Sequence, residues 1–476
     1  MKTDEFLEWS EKAARWGANY RRDVRDLPVR AQTSPGDIAK QIAPQPPEYG
    51  ESMDKIFADF ETIIMPGMTH WQHPRFFAYF PANAAPVSAV AEYLVTALAA
   101  QCMLWQTSPA ATELETAMIG WLRDALGLPA MFTGSIQDSA SSATLNAVLV
   151  MRERALGWKG NTEGLSGQKP IRIYTTNQVH TSIDRAIWVS GIGSANLVRI
   201  PTSGDSRGMD AKALDAAIRS DLESGYLPAG VIACTGGTSI GAFDDIAAVV
   251  RVAHAHGLYV HVDAAWAGSA MICPEFRHFW AGVEEADSIV FNPHKWLGAH
   301  FDCSIQFIRS PEDLVRTLAI QPEYLKTSGK DGFINYSEWS VPLGRRFRAL
   351  KLWFLLRYHG LKGLRAMVRN HVRWAEKVER ALAEDSRFEI VTKPFLSLFT
   401  FRPLKAEGAT DDVHVQAVLD AINNDGRIYL TQTRVDGALV IRFQAGQFDM
   451  TEADADTAID VLKEFAGCFA EEQIHG

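Results

Sequence analysis

Lys295 follows Asn292, Pro293 and His294 at the end of the apolar run 288–291, which reads as a short buried strand closed by a turn. Earlier in the chain the run 258–262 reads as a second buried strand, with Asp263 at its carboxyl end. A buried lysine amine can form a Schiff base with an aldehyde cofactor, and a carboxylate can keep a pyridine nitrogen protonated. At a separation near ~4 Å and an effective dielectric near ~20, such a carboxylate contributes about 4 kcal/mol, or roughly three pKa units. The two residues therefore point to pyridoxal 5'-phosphate (PLP) chemistry. Asp263 fits a plainer role equally well, capping the turn after its strand. Ala264 and Ala265 are small enough to let a flat ring lie against that strand end.

A phosphorylated cofactor also needs an anion cradle. The polar run 137–144, containing Asp138, Ser139, Ala140, Ser141 and Ser142, precedes the apolar helical run 145–150. Hydroxyl side chains and free N–H groups at a helix start would serve, and ordinary N-capping explains the same residues. His180 lies between a strand and a helix, where it could stack on a ring or be a plain loop histidine. Thr238 follows Gly236-Gly237 on a strand exit, within reach of cofactor or histidine; such glycine pairs are also common turns.

These groups need a rigid frame, and the chain has one in prospect. Its 476 residues are 47% apolar and 22% charged, an ordinary globular balance with room for more than one structural unit. The net charge of -10 argues against nucleic acid as a partner. Cys102, Cys234, Cys273, Cys303 and Cys468 are scattered, without a CxxC pair. They point away from a disulfide framework or a metal site and towards a reducing, cytoplasmic setting. The first residues lack an apolar signal core, and 86–105, broken by Glu92 and Gln101, reads as a buried helix and not a membrane span.

Residues 1–80 read as a mostly helical segment with a proline-rich break at 44–47. From 81 to 350, strands at 171–174, 230–233, 258–262, 288–291 and 304–308 alternate with helices such as 112–125, 144–155 and 211–224. That is the pattern of a large α/β domain with a mostly parallel sheet. From 351 to 476, a long helix to about 383 precedes strands at 388–391, 396–401 and 439–443 and helices at 413–423 and 452–470, a small α+β domain.

Several stretches together carry a family resemblance. They include Trp71-Gln72-His73-Pro74, Phe77-Ala78-Tyr79-Phe80-Pro81, Gln178-Val179-His180, His261-Val262-Asp263-Ala264-Ala265, Asn292-Pro293-His294-Lys295-Trp296 and Pro342-Leu343-Gly344-Arg345-Arg346. The chain resembles the PLP-dependent aromatic L-amino acid decarboxylases, group II decarboxylases of PLP fold type I. The resemblance implies Lys295 as the Schiff-base lysine, Asp263 as the pyridinium partner, and His180 stacked on the ring with Ala265 opposite. It implies Ser139, Ala140, Ser141 and Asn292 at the phosphate and Thr238 near the ring. Trp71, Tyr79, Phe80 and Pro81 would line the substrate pocket with Ala82, Met103, His180 and Gly344. It also implies a homodimer whose shared active sites take residues from both subunits, with 1–80 wrapped around the partner.

The same resemblance places a catalytic loop tyrosine at Tyr336, as proton donor to the substrate α-carbon. The loop would be a mobile lid beginning near Thr327. Aldehyde synthases of this group are associated with phenylalanine at that position or asparagine at the histidine, so Tyr336 and His180 favour simple decarboxylation. Gly344 leans towards an indole substrate. Ala82 and Met103 stand where animal relatives carry threonine and phenylalanine, which removes a hydroxyl and makes the wall more pliable. Three alternatives stay open at this point: an aldehyde synthase, an aminotransferase using Arg442 to grip the α-carboxylate, and a non-catalytic PLP-binding regulatory protein.

Overall fold

The computed structural model describes residues 1–320, 333–405, 408 and 410–475, without the side chains of 470–475. The chain forms two compact units, Ala82–Asn370 and Met1–Pro81 together with His371–Gly476.

The unit Ala82–Asn370 is built on β1 (Thr133–Gln137), β2 (Ile171–Thr175), β3 (Leu197–Arg199), β6 (Leu227–Cys234), β7 (Tyr259–Asp263), β8 (Ser288–Phe291) and β9 (Ser304–Ile308), with a separate two-stranded ribbon of β4 (Thr202–Ser203) and β5 (Gly208–Met209). The seven strands run in the order β1-β9-β8-β7-β6-β2-β3. β3, β2, β6, β7 and β8 are mutually parallel. β9 runs against both β8 and β1, so β1 points the same way as the other five. Val260, Val262, Ile289 and Val290 are fully buried, as befits central strands covered on both faces. The expected α/β class with a mostly parallel central sheet is met.

Three strands escaped the sequence reading, apart from the short ribbon, each for a visible reason. β1 reads Thr-Gly-Ser-Ile-Gln, too polar for a core strand. It is buried because Gln137 donates to Ser135 Oγ and to the Trp339 carbonyl, both at 2.8 Å. Gly134 is required there, since a Cβ would collide with the Gln306 carbonyl. β3 is only three residues long. The third is Thr431–Val435, an edge strand of the other unit.

That other unit carries a four-stranded antiparallel sheet of β10 (Phe388–Phe395), β11 (Leu398–Pro403), β12 (Thr431–Val435) and β13 (Ala438–Gln444), ordered β10-β11-β13-β12. Helices Asp412–Asp425 and Glu452–His475 supply Val418, Ile422 and Leu462 to a core shared with Phe399, Phe401 and Phe443. Residues 1–81 belong to this unit, tied by Arg21–Asp449 at 2.7 Å and by Val29 N–H donating to the Gly426 carbonyl at 2.9 Å. The N-terminal segment is less helical than expected: Thr3–Asp23 and Met53–Asp59 are helices, and 27–52 holds none. The long helix Ala349–Ala383 is interrupted at Gly360, whose φ is 60°.

One expectation is corrected. The apolar stretch from residue 86 forms the helix Pro86–Leu98, but only Ser88, Ala91 and Val95 on it are buried. Their spacing of three and four selects one stripe. Val90, Tyr93, Leu94 and Leu98 fall outside that stripe and are exposed. Among the described residues no helix is long and apolar enough to cross a membrane, and no group of His, Cys, Asp or Glu could hold a metal ion.

Candidate active site

Six strands point the same way, and a chemically active residue follows five of them. The helix Ala140–Ala155 begins three residues after β1 ends. His180 follows β2, Thr238 follows β6, Asp263 ends β7, and Asn292 with Lys295 follows β8. These residues therefore converge on the carboxyl edge of one sheet, where open α/β folds bind their ligands. The register sharpens this: Asp263 pairs with Cys234 on β6 and with Val290 on β8, two positions before Asn292.

The carboxylate of Asp263 is buried, and its Oδ1 accepts the Ala265 N–H at 3.0 Å. That bond is the turn cap allowed for in the sequence, and it also aims the group; no described residue hydrogen-bonds Oδ2. The Ala265 carbonyl accepts the Asn292 N–H at 2.8 Å, and the Asn292 carbonyl accepts the Lys295 N–H at 2.9 Å. The ends of β7 and β8 are thereby laced together. Lys295 sits in the single helical turn Pro293–Trp296, half-buried, with its carbonyl held by Asn83 Nδ2 at 2.8 Å. Its neighbour His294 accepts the Cys303 N–H at 2.9 Å. Burial, followed by the Lys295 charge, pulls the His294 pKa down to about 3.

His180 is exposed as a residue, yet its pKa is lowered, by desolvation first and by the Lys295 charge second, against a raising pull from Asp263. Those influences mark the three as electrostatic neighbours. Nδ1 of His180 accepts the Ser182 N–H at 3.1 Å, which leaves the proton of the neutral ring on Nε2. On the helix Ala140–Ala155, Ser139 behaves as a cap, accepting the Ser142 N–H at 3.2 Å and donating to Asp138 at 3.0 Å. The N–H groups of Ala140 and Ser141 are the first of the helix and have no intrahelical acceptor, and Ser141 is exposed beside them. Asn292 accepts the Ser304 hydroxyl through Oδ1 at 2.5 Å.

PLP fits this donor set. An anion cradle at a helix start, an aimed carboxylate, a half-buried lysine and small residues at the strand end match its phosphate, ring nitrogen, aldehyde and flat face. Of the side chains expected at the phosphate, Ser139 is engaged as the helix cap, whereas Asn292 accepts the Ser304 hydroxyl through Oδ1 only, a bond that leaves its Nδ2 donors for an anion.

Of the expected pocket residues, Ala82, Met103 and Gly344 lie in the same unit as Lys295. Met103 accepts the Ser337 N–H at 3.0 Å through its carbonyl, and Gly344 lies beside Gln101, whose Nε2 would be 3.3 Å from a Cβ there. Trp71, Tyr79, Phe80 and Pro81 belong to the other unit. There Trp71 stacks on Tyr79 at 6.0 Å, and Arg442 lies 4.6 Å over the Phe80 ring. Arg442 is buried and donates to the Tyr79 carbonyl; burial lowers its pKa to about 9.

Tyr336 is not brought to the group at Lys295. Its side chain is 1% exposed, packed with Trp339, and its hydroxyl lies 2.9 Å from Thr116 Oγ1. Thr116 donates its own proton to the Thr112 carbonyl, so it accepts from Tyr336. The phenol proton is thus already in use, and burial pushes its pKa up. A proton donor to substrate needs the opposite environment. The expected lid residues 327–332 lie outside the described residues. Within the connection 309–335 the sequence holds one other tyrosine, Tyr324, also outside them.

The comparisons with known proteins agree with this geometry. The aromatic-L-amino-acid decarboxylase of Mus musculus is 38% identical over 98% of this chain and 98% of its own length. The phenylacetaldehyde synthase of Arabidopsis thaliana is 35% identical over 98% of this chain and 96% of its own. The crystal structure of Oryza sativa TDC with PLP and tryptamine superposes with a TM-score of 0.94 at 33% identity, covering 98% of both chains. Residues 35–404 match the pyridoxal-dependent decarboxylase conserved domain, and the chain, with its lysine and aspartate on adjacent strand ends of a PLP-type sheet, belongs to the pyridoxal-dependent decarboxylase family.

Proposed function

We propose that this protein decarboxylates an aromatic L-amino acid, tryptophan, phenylalanine, tyrosine or a hydroxylated form, to the arylalkylamine and carbon dioxide. The observation that carries the proposal is the convergence of Lys295, Asp263, His180 and the helix start at Ala140 on one edge of the sheet. When bound, PLP supplies an aldehyde that condenses with amines and a protonated ring that accepts the electrons left as the carboxylate departs.

The chain's own residues have separate tasks. Lys295 would hold the aldehyde carbon until substrate arrives. Ala140 and Ser141 would hold the phosphate through their N–H groups, with Thr238 near the ring. Asp263, aimed by the Ala265 N–H, would keep the ring nitrogen protonated. His180 would cover one face of the ring and Ala265 the other, with the Nε2 proton of His180 directed to substrate. Met103, Ala82 and Gly344 would bound the side-chain pocket, and in a homodimer Trp71, Tyr79, Phe80 and Pro81 would line it partly by reaching across the subunit interface. An apolar wall there would exclude water from the departing carboxylate. With the Tyr336 phenol committed to Thr116, the proton for the α-carbon is assigned to Tyr324.

A homodimer belongs to the same reading. The helix Thr3–Asp23 buries no residue, and Val90, Tyr93, Leu94 and Leu98 are exposed on the helix Pro86–Leu98. Phe6 and Leu7 on the first helix and the four exposed side chains on the second are apolar groups that a second copy would cover. A cytoplasmic setting suits five cysteines that are all free.

The aldehyde synthase reading now turns on Tyr324, since Tyr336, the residue that argued against it, is engaged elsewhere. Purified holoenzyme given each aromatic L-amino acid, with amine, aldehyde, peroxide and carbon dioxide measured together, tests both. Amine equal to carbon dioxide supports decarboxylation. Aldehyde and peroxide in step with carbon dioxide select the synthase, and no carbon dioxide from any of these substrates overturns the proposal.

A further inference from the structure

His261 lies two residues before Asp263 on β7, so the two side chains share one face of the sheet. It is completely buried, and both ring nitrogens have partners. Nδ1 is 2.8 Å from the Ser288 hydroxyl, and Nε2 is 3.3 Å from Thr144 Oγ1. Ser288 pairs with His261 in the parallel register and opens β8, the strand that leads to Asn292 and Lys295. Thr144 is one turn into the helix Ala140–Ala155, directly behind the N–H groups of Ala140 and Ser141.

One imidazole therefore links the helix that begins at Ala140, the strand that ends in Asp263 and the strand that leads to Lys295. Burial lowers its pKa to about 4, so the ring is neutral and each contact is a directional hydrogen bond. The next polar residues inward continue the arrangement. Asn146 donates to Gln306 at 2.9 Å, and Gln306 donates to the Ala143 carbonyl at 3.1 Å. The start of the helix is thus held to the sheet by polar contacts of fixed length, whereas deeper positions such as Val148 and Met151 pack apolar surface. An apolar side chain of the same volume at 261 would fill the space, but it would leave the buried Ser288 and Thr144 hydroxyls without this partner and would set no spacing.

We infer that His261 is a positioning residue for cofactor binding, fixing the separation between the phosphate-holding helix start and the Asp263 carboxylate. It lets both ends of one rigid cofactor be gripped together. The inference rests on the proposed roles of Lys295, Asp263 and the helix start.

The test compares wild type, His261→Leu and His261→Gln for PLP dissociation, for the pH at which the bound-cofactor absorbance band titrates, and for the melting temperature of the apoenzyme. His261→Leu is expected to weaken PLP binding by about tenfold or more and to move the titration midpoint by roughly half a pH unit. His261→Gln, which keeps a donor and an acceptor, should recover part of both. PLP affinity within about twofold of wild type, with an unmoved midpoint, overturns the inference, as does a fall in melting temperature alone. If His261→Leu does not fold, Thr144→Val and Ser288→Ala each remove one partner and must show the same two changes. Borohydride labelling of wild type separates the two levels. Label on Lys295 with silent variants sinks only this inference, whereas label on another lysine sinks the underlying site.

Discussion

Two polar clusters lie in the unit Ala82–Asn370, and they use similar side chains to opposite ends. Around Tyr336, bonding is mutual. Glu115 accepts from Arg345 and from the Ile136 N–H, Arg345 donates to the Ile136 carbonyl at 3.0 Å, and Tyr336 donates to Thr116. At the sheet edge the side chains are held by their own turns. Asp263 is aimed by the Ala265 N–H and His180 by the Ser182 N–H, and no described residue hydrogen-bonds Asp263 Oδ2 or His180 Nε2. Apart from Arg345 Nε, which is buried without a hydrogen-bond partner, the first cluster turns its bonds on itself and stabilises the fold. The second is rigid but has bonding capacity directed outward, which is what a binding site requires. Residue type alone does not separate the two; the direction of the second hydrogen bond does.

The contrast can be broken most easily at Lys295. Lys295→Ala should cut turnover by at least about a thousandfold, the loss expected when a covalent anchor is removed; steady-state carbon dioxide release near wild type would end the argument. Asp263→Asn keeps the shape and removes the charge. A loss of about 4 kcal/mol of ring-nitrogen stabilisation corresponds to a rate lower by roughly a thousandfold, checked by kcat at saturating PLP.

Acid stability probes the layer beneath the site. His261 and His294 have folded pKa values of about 4 and about 3, below the usual 6.5 of the unfolded chain, chiefly through burial. A depressed pKa means the unfolded chain binds the proton first. The stability contribution is present above pH 6.5 and is lost as pH falls towards those folded values. Unfolding free energies from urea titrations should therefore drop below pH 6.5, by about 1.4 kcal/mol per pH unit for each histidine, until the folded protein itself takes the proton. A flat profile from pH 6.5 to 5 would contradict the neutral, buried rings.

The smallest expected effect separates the two clusters most sharply. Tyr336→Phe should lower stability by about 1 kcal/mol, one buried hydrogen bond, and leave the ratio of amine to aldehyde unchanged. Tyr324→Phe should instead raise the aldehyde share. If Tyr336→Phe shifts the product and Tyr324→Phe does not, the donor assignment is reversed.

Much of the site could be read from the chain because it sits at strand ends. The apolar runs before Asp263 and Lys295 locate β7 and β8, and the punctuation at Asn292-Pro293 marks where β8 stops. β1 could not be read this way. Its buried Ser135 and Gln137 look like surface residues until Trp339, far along the chain, is seen to accept from Gln137. The same limit applies to the helix Pro86–Leu98, where apolar composition indicated burial and only one stripe is buried.

By itself, the order of residues determined the chemistry on offer: a lysine, a carboxylate, a histidine and a helix start, each placed by a local pattern of strand and turn. Only the tertiary structure decided which of them meet. Parallel pairing brings strand ends from Gln137 to Phe291 to one edge, and packing against Thr116 withdraws Tyr336 from it. The physical reason is range. Alternation and turn preference act over a few neighbouring residues, whereas the partner of a hydrogen bond can come from anywhere in the chain.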